Sequence, residues 1–202
     1  RGRAAASPAQ VRRMFDSIAG RYDLMNRLIT FGRDRRWRRH VVAQARLPAG
    51  GGRLLDLGAG TGDIAREALR QHPGLELVAA ADMSAPMLAV GRARPSGDRI
   101  EWCVVDALRL PFADASFDAV TSGYLARNVG DRRRMFREQL RVVRPGGRVV
   151  CLDTTPPPGG LTGPLVQLHM RAVIPLLGRI VAGNAAAYRY LPETTEAFVR
   201  PE

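Results

Sequence analysis

The sequence predicts an α/β fold, a mostly parallel sheet with helices on both faces. Three observations carry this. The apolar period changes at Pro48–Gly52, from helical before it to short apolar runs after it. From Arg53 to Leu152 those runs alternate with helical segments, which means stacked β-α units. A glycine-rich turn leads directly from the first run into a helix.

Taken in order, Arg1–Gln10 is rich in Arg and Ala and reads as a frayed arm. Val11, Met14, Phe15, Ile18 and Tyr22 recur at helical spacing, as do Leu24, Leu28 and Phe31. Gly32 breaks the pattern. Trp37–Ala45 resumes it, in a segment carrying Arg35, Arg36, Arg38 and Arg39, and Pro48–Gly52 ends it. Expected strands follow at Arg53–Leu57, Leu75–Ala81, Ile100–Val105, Phe117–Thr121 and Arg148–Leu152. The helices between them are Ile64–Gln71, Pro86–Arg94 with Ser84 as N-cap, and Asp131–Val143. Pro145-Gly146-Gly147 reads as the turn into the fifth strand. Thr154–Gly163 is a linker, followed by an apolar helical stretch to Val181 with Pro175 inside it. The expected organisation is an arm over 1–10, a helical lid over 11–47, a ligand-binding core over 48–153, and a linker with an apolar helix over 154–202.

With 202 residues, 46% hydrophobic and 25% charged, the chain can bury a core without staples. The net charge is +12, and all 31 basic side chains are arginine. An Arg-only, Ala- and Gly-rich chain points to coding bias as much as to an acidic partner. The arginines are scattered rather than gathered in a stripe, which disfavours nucleic acid. Cys103 and Cys151 have neither disulfide nor zinc spacing and are expected to be buried thiols. No metal cluster is expected, since His40, His72 and His169 are scattered. No apolar run reaches the roughly 18 uncharged residues of a membrane span. Leu161–Val181 comes nearest, interrupted by Gln167, His169, Arg171 and Arg179. Arg1–Val11 has no secretory pattern, so the cytoplasm is the expected location.

The chemistry concentrates in Asp56-Leu-Gly58-Ala-Gly60-Thr61-Gly62-Asp63. Glycines let the backbone approach a ligand closely, and the helix that follows offers free N–H groups. An acid, Asp82, ends the next strand about 20 residues on, where a carboxylate accepts hydrogen bonds from a ribose diol. The dinucleotide fingerprint needs glycine where Asp63 stands, and a carboxylate there repels a pyrophosphate. A ligand with an ammonium group and no phosphate suits the site, and S-adenosylmethionine fits that description.

The Asp-x-Gly-x-Gly-x-Gly pattern resembles motif I of the class I methyltransferases, whose fold is Rossmann-like. The resemblance assigns Asp56, Gly58, Gly60, Thr61 and Gly62 to the cofactor, with Asp82 and Met83 at the ribose and Asp106 and Ala107 at the adenine. Arg141-Val-Val-Arg-Pro-Gly-Gly147 resembles the turn before their fifth strand. A narrower resemblance spans about Val11 to Phe198. Met14-Phe-Asp-Ser-Ile-Ala-Gly-Arg-Tyr-Asp-Leu-Met-Asn26, Phe31-Gly32, Trp37-Arg38 and Arg127-Asn128-Val129 resemble the ubiquinone/menaquinone biosynthesis C-methyltransferases (UbiE/MenG type). So does Ala187-Tyr188-Arg189-Tyr190-Leu191 with Glu193 and Thr194. The chain departs from that family at Tyr124-Leu125-Ala126, where Phe-Gly-Leu is usual. It departs again at Gly123, where a serine facing the cofactor is usual. The family also continues past Glu202, so the sheet is expected to lack its last strands.

The resemblance implies methyl transfer from S-adenosylmethionine, leaving S-adenosylhomocysteine, to a ring carbon of a polyprenylated quinol. Such a reaction needs the carbon roughly 3–3.5 Å from the methyl, a stabilised phenolate and exclusion of water. It needs no metal. Arg127 is the candidate for the phenolate, through a water as proton acceptor, because a guanidinium is itself a poor base. Asn128 would orient it, and Tyr22 and Tyr188 would close over the ring. Leu161–Val181 is the candidate path for the prenyl tail, or a docking face for the inner membrane surface. Packing on the sheet or a homodimer surface would account for it equally. Three rival readings are a methyltransferase for a soluble aromatic natural product, favoured by Tyr124-Leu125-Ala126, a nucleic-acid methyltransferase, and a non-catalytic fragment.

Overall fold

A computed structural model describes residues 7–156 and 163–182, with 187, 188, 190, 194, 195 and 198. Of the expected arm, residues 1–6 lie outside the described residues, Ser7 is an extended N-cap and residues 8–10 are helical. Helix α1 (Pro8–Ile18) starts earlier than its apolar pattern, because a capping box precedes it. The Ser7 hydroxyl accepts the Gln10 N–H, and the Gln10 side chain accepts the Ser7 N–H at 2.8 Å. A 3₁₀ turn leads to α2 (Tyr22–Ile29), and α3 (Asp34–Ala45) follows.

Five parallel strands form one sheet: β1 (Arg53–Leu57), β2 (Leu77–Asp82), β3 (Glu101–Val104), β4 (Phe117–Gly123) and β5 (Val143–Leu152). Their order is β3-β2-β1-β4-β5. The connecting helices are α4 (Asp63–Gln71), α5 (Ala85–Arg92) and α6 (Arg132–Val142). Ser84 caps α5 as expected, and Asp131 caps α6 by accepting the Arg134 N–H at 2.9 Å. Alternate strand residues point to opposite faces. Leu54, Val78, Ala80 and Ala119 pack with Val41, Val42, Ile64 and Ala68 of α3 and α4. Leu55, Leu57, Ala79, Ala81 and Val120 pack on the other side with Val142. Leu54, Leu55 and Leu57 are fully buried, each contributing about 1.5–3 kcal/mol of apolar burial.

Three expectations are corrected. Helix α3 is a layer of the sheet rather than part of a lid: Val41, Val42 and Ala45 belong to the main core. Helices α1 and α2 stand over the strand ends. Pro145-Gly146-Gly147 is not a turn before β5 but a bulge inside it. Val143 pairs with Phe117 and pairing resumes at Arg148 opposite Ala119. Gly146 takes φ +80°, and a Cβ on Gly147 would lie 2.5 Å from the Asp118 carbonyl oxygen. Cys103 is half-buried and Cys151 exposed, not buried. They lie on β3 and β5, the two outer strands of the described sheet.

The apolar stretch, described from residue 163, forms α7 (Gly163–Leu168), a π-helical turn at His169–Val173, and α8 (Ile174–Ala182). Pro175 lacks an N–H and crowds the carbonyl four residues back, so the ladder widens there. The Ile174 N–H accordingly bonds to the His169 carbonyl. This helix packs on α2 and α1 rather than on the sheet: Ile174 buries with Ile18, Met25, Ala187 and Tyr188.

Candidate active site

The connections after β1 and β4 leave towards opposite faces, so a crevice opens at the C-terminal ends of these adjacent strands, where ligands bind in such sheets. Gly58 and Gly60 have φ +67° and +56°, which turns the chain across that crevice. The Gly58 and Ala59 N–H groups both donate to the Ala81 carbonyl, tying the turn to the end of β2. Asp82 is held at that end. Its Oδ2 accepts the Gly60 N–H and its Oδ1 accepts the Ser84 N–H, each at 2.8 Å. Burial raises its pKa. Each oxygen keeps a lone pair for a diol.

A cavity of about 140 Å³ lies here. Seven of the ten expected cofactor residues line it: Gly58, Gly60, Asp82, Met83, Asp106, Ala107 and Gly123. Val105 and Leu108 add an apolar flank suited to a base, and Asp106 Oδ1 accepts the Leu108 N–H at 2.8 Å, fixing that loop. The described residues thus offer a glycine turn, a diol acceptor and an apolar slot, which fits S-adenosylmethionine.

Asp56, Thr61 and Gly62 stand behind this cavity instead of lining it. Asp56 is buried, accepts from Thr121 Oγ1 at 2.9 Å, and has its pKa raised by desolvation to about 7. The Thr61 hydroxyl donates to Asp23 at 2.7 Å. Gly62 is the N-cap of α4 at φ +76°, and a Cβ there would lie 2.4 Å from the Trp102 ring. Asp63 does not offer a free carboxylate to a ligand ammonium either. It is paired with Arg38 and Arg66. At Gly123 the place of a side chain is taken by Ile64, whose Cδ1 would be 2.8 Å from a Cβ. Leu125 likewise packs against Gly58.

Helices α1 and α2 roof the crevice through polar ties that the sequence did not reveal. Asp16 accepts from the Ser84 hydroxyl at 2.5 Å, and Asp23 pairs with Arg94. On the far side of this roof lies a second cavity of about 270 Å³. Met14, Ile18, Ile29, Met170 and Ile174 make it apolar. All four expected catalytic residues, Tyr22, Arg127, Asn128 and Tyr188, line it. Phe15, Tyr22, Tyr124 and Asn128 line both cavities, so the two meet there. Arg127 is buried and paired with Asp153, and its Nε has no partner among the described residues. Tyr190 also lines this cavity, whereas Arg189, Leu191 and Glu193 of the expected C-terminal signature lie outside the described residues. Among the described residues no group of His, Cys, Asp and Glu is arranged to hold a metal, and no helix is long and apolar enough to cross a membrane.

The sequence matches the ubiE/COQ5 methyltransferase family over residues 3–202. The chain belongs to this family. It is an S-adenosylmethionine-dependent methyltransferase with the Rossmann-like class I fold. The chain is 53% identical to the ubiquinone/menaquinone biosynthesis C-methyltransferase UbiE of Desulfotalea psychrophila, over 93% of this chain and 76% of that protein. It is 47% identical to the demethylmenaquinone methyltransferase of Thermus thermophilus, over 94% of this chain and 86% of the relative. Among solved structures, an S-adenosylmethionine-dependent methyltransferase of Mesorhizobium loti superposes with a TM-score of 0.51 at 31% identity. That match covers 58% of this chain and 53% of the solved one.

Proposed function

We propose that this protein of the ubiE/COQ5 family methylates a ring carbon of a polyprenylated quinol, demethylmenaquinol or the corresponding ubiquinone precursor. The observation that carries the reading is the meeting of the two cavities at Tyr22, Tyr124 and Asn128. S-adenosylmethionine in the first cavity supplies an electrophilic methyl group at that junction. Asp82 binds its ribose, the Gly58–Gly60 turn lets the backbone approach, and the Asp106–Leu108 loop takes the base.

In the second cavity a quinol ring lies against Tyr22 and Asn128 with its tail among Met14, Ile29, Met170 and Ile174. Ring carbon becomes nucleophilic when an adjacent hydroxyl ionises; it takes the methyl as the sulfur–methyl bond breaks, and the hydrogen on that carbon then leaves as a proton to water, which restores the aromatic ring. Arg127 carries a fixed positive charge beside that oxygen, with its Nε–H free to donate, and stabilises the phenolate as its proton passes to water. Asp153 holds the guanidinium in place and Asn128 orients the ring. Tyr188 is buried and Tyr22 half-buried, and desolvation raises the pKa of both, so they act as protonated walls and donors that exclude water.

The apolar lining of the second cavity suits a prenylated acceptor better than a soluble phenol. Outside it, Leu168, Leu176 and Ile180 are exposed beside Arg179, and Phe31 is 79% exposed. This rim suits peripheral contact with a membrane surface, from which such a substrate is drawn. Mass spectrometry of quinones in cells lacking the protein tests the reading. Accumulated demethylmenaquinone or its benzoquinone counterpart, cleared on re-expression, is the expected result. An unchanged quinone profile contradicts it.

A further inference from the structure

The segment Tyr124-Leu125-Ala126 leads from the end of β4 to the turn that carries Arg127 and Asn128. Tyr124 has φ +59°, a left-handed conformation that costs a non-glycine residue strain and is kept where its surroundings enforce it. Its N–H donates to the Leu152 carbonyl at 2.7 Å, and its own carbonyl accepts from Asn128 Nδ2 at 2.8 Å. The Arg127 guanidinium carbon sits 5.3 Å from its ring centroid. The ring is therefore fixed in the wall between the two cavities.

The hydroxyl of this fixed ring is buried and has no hydrogen-bond partner among the described residues. Burying a hydroxyl without a partner is unfavourable, so such a group on a cavity wall marks a ligand contact. It is not isolated. Arg127 Nε and Tyr188 Oη, both donors, are also buried on the same cavity without a hydrogen-bond partner among the described residues, and so is one acceptor, Asn128 Oδ1. The charges of Arg38 and Arg127 favour negative charge near Tyr124, while desolvation keeps the phenol itself protonated.

We propose that Tyr124 is an acceptor-recognition residue whose hydroxyl donates a hydrogen bond to the ring oxygen beside the carbon that is methylated. It acts with Arg127 Nε on that oxygen, selects acceptors in which the oxygen is free, and favours its ionised form. The proposal rests on the reading of the acceptor as a quinol.

The test compares the wild-type chain with Tyr124→Phe on demethylmenaquinol, with S-adenosylmethionine as donor. The variant removes the hydroxyl and keeps the ring. The expected result is a fall in kcat/KM for the quinol of about 10–100-fold. The KM for S-adenosylmethionine stays as in wild type, and the melting temperature of the unliganded protein does not fall, since the hydroxyl removed is buried without a partner among the described residues. The pH at which kcat/KM is half-maximal rises, because the acceptor ionises less readily without the donor, and a merely structural role would not move it. Incorporation of 3-fluorotyrosine at position 124 strengthens the donor and keeps the fold, and should move the same limb to lower pH. Unchanged kcat/KM and pH limb in Tyr124→Phe, or an unmoved limb with 3-fluorotyrosine, overturns the proposal while leaving the quinol reading intact. A wild-type chain that binds S-adenosylmethionine but methylates neither demethylmenaquinol nor the corresponding ubiquinone precursor overturns both.

Discussion

Arg127 is bonded twice to Asp153. Its Nη1 donates to one carboxylate oxygen at 2.5 Å and its backbone N–H donates to the other at 3.1 Å. Both side chains are almost wholly buried, 6% and 5% exposed. The pair fixes a positive charge in the wall of the apolar cavity and leaves Nε free for a substrate oxygen.

Removing one partner of a buried pair leaves an uncompensated charge, which costs about 3–5 kcal/mol. Arg127→Ala should therefore lose stability as well as activity. The double variant Arg127→Gln/Asp153→Asn removes both charges together. It should melt closer to wild type and bind S-adenosylmethionine normally by calorimetry, yet lose at least about 100-fold in kcat, the usual cost of deleting an oxyanion donor.

Asp82 is oriented by two backbone N–H groups. Asp82→Ala removes the diol acceptor and the anchor of the Gly60 turn. Calorimetry should show S-adenosylmethionine binding weakened about 10–100-fold, as expected for a hydrogen bond to a charged group. Affinity equal to wild type would show that the ribose lies elsewhere.

Asp56 is buried with its pKa raised to about 7, chiefly by desolvation. Its neutral form is favoured in the folded state. The associated stability is complete below the unfolded-state pKa near 4 and is lost as pH rises through about 7. Chemical denaturation across this window should show wild type losing about 2–4 kcal/mol relative to Asp56→Asn, which cannot ionise. Parallel pH profiles for the two proteins would contradict the assignment.

Gly62 combines φ +76° with a Trp102 ring carbon 2.4 Å from the site of a Cβ. Gly62→Ala should lower stability by about 2–4 kcal/mol, from backbone strain and overpacking together. The change is read in the denaturant midpoint, and a loss below 1 kcal/mol (about a fivefold change in the folding equilibrium) would be inconsistent with this packing.

What the sequence made legible was local. The strand-turn-helix at Arg53–Gln71, the cap at Ser84 and the acid at Asp82 lie within short windows whose chemistry is complete in themselves. Pro145-Gly146-Gly147 carries turn chemistry, and only pairing with β4 reveals that the strand begins before it. Asp63 looked like a ligand contact because Arg38 is distant in sequence and adjacent in space. Asp16–Ser84, Asp23–Arg94 and Arg127–Asp153 were hidden for the same reason. Helix α3 shares its amphipathic period with α1 and α2, and periodicity does not say which surface an apolar stripe meets.

The central claim is that the junction at Tyr22, Tyr124 and Asn128 is where a methyl group passes from S-adenosylmethionine to quinol carbon. The direct measurement supplies S-adenosylmethionine with an isotopically labelled methyl group and demethylmenaquinol, or the corresponding demethyl ubiquinone precursor, in detergent or vesicles, beside soluble phenols. The position of the label in the product is then determined by mass spectrometry and NMR. The account predicts label on the ring carbon of one of the quinols and none on the soluble phenols. Label on an oxygen, or on the soluble phenols alone, would contradict it.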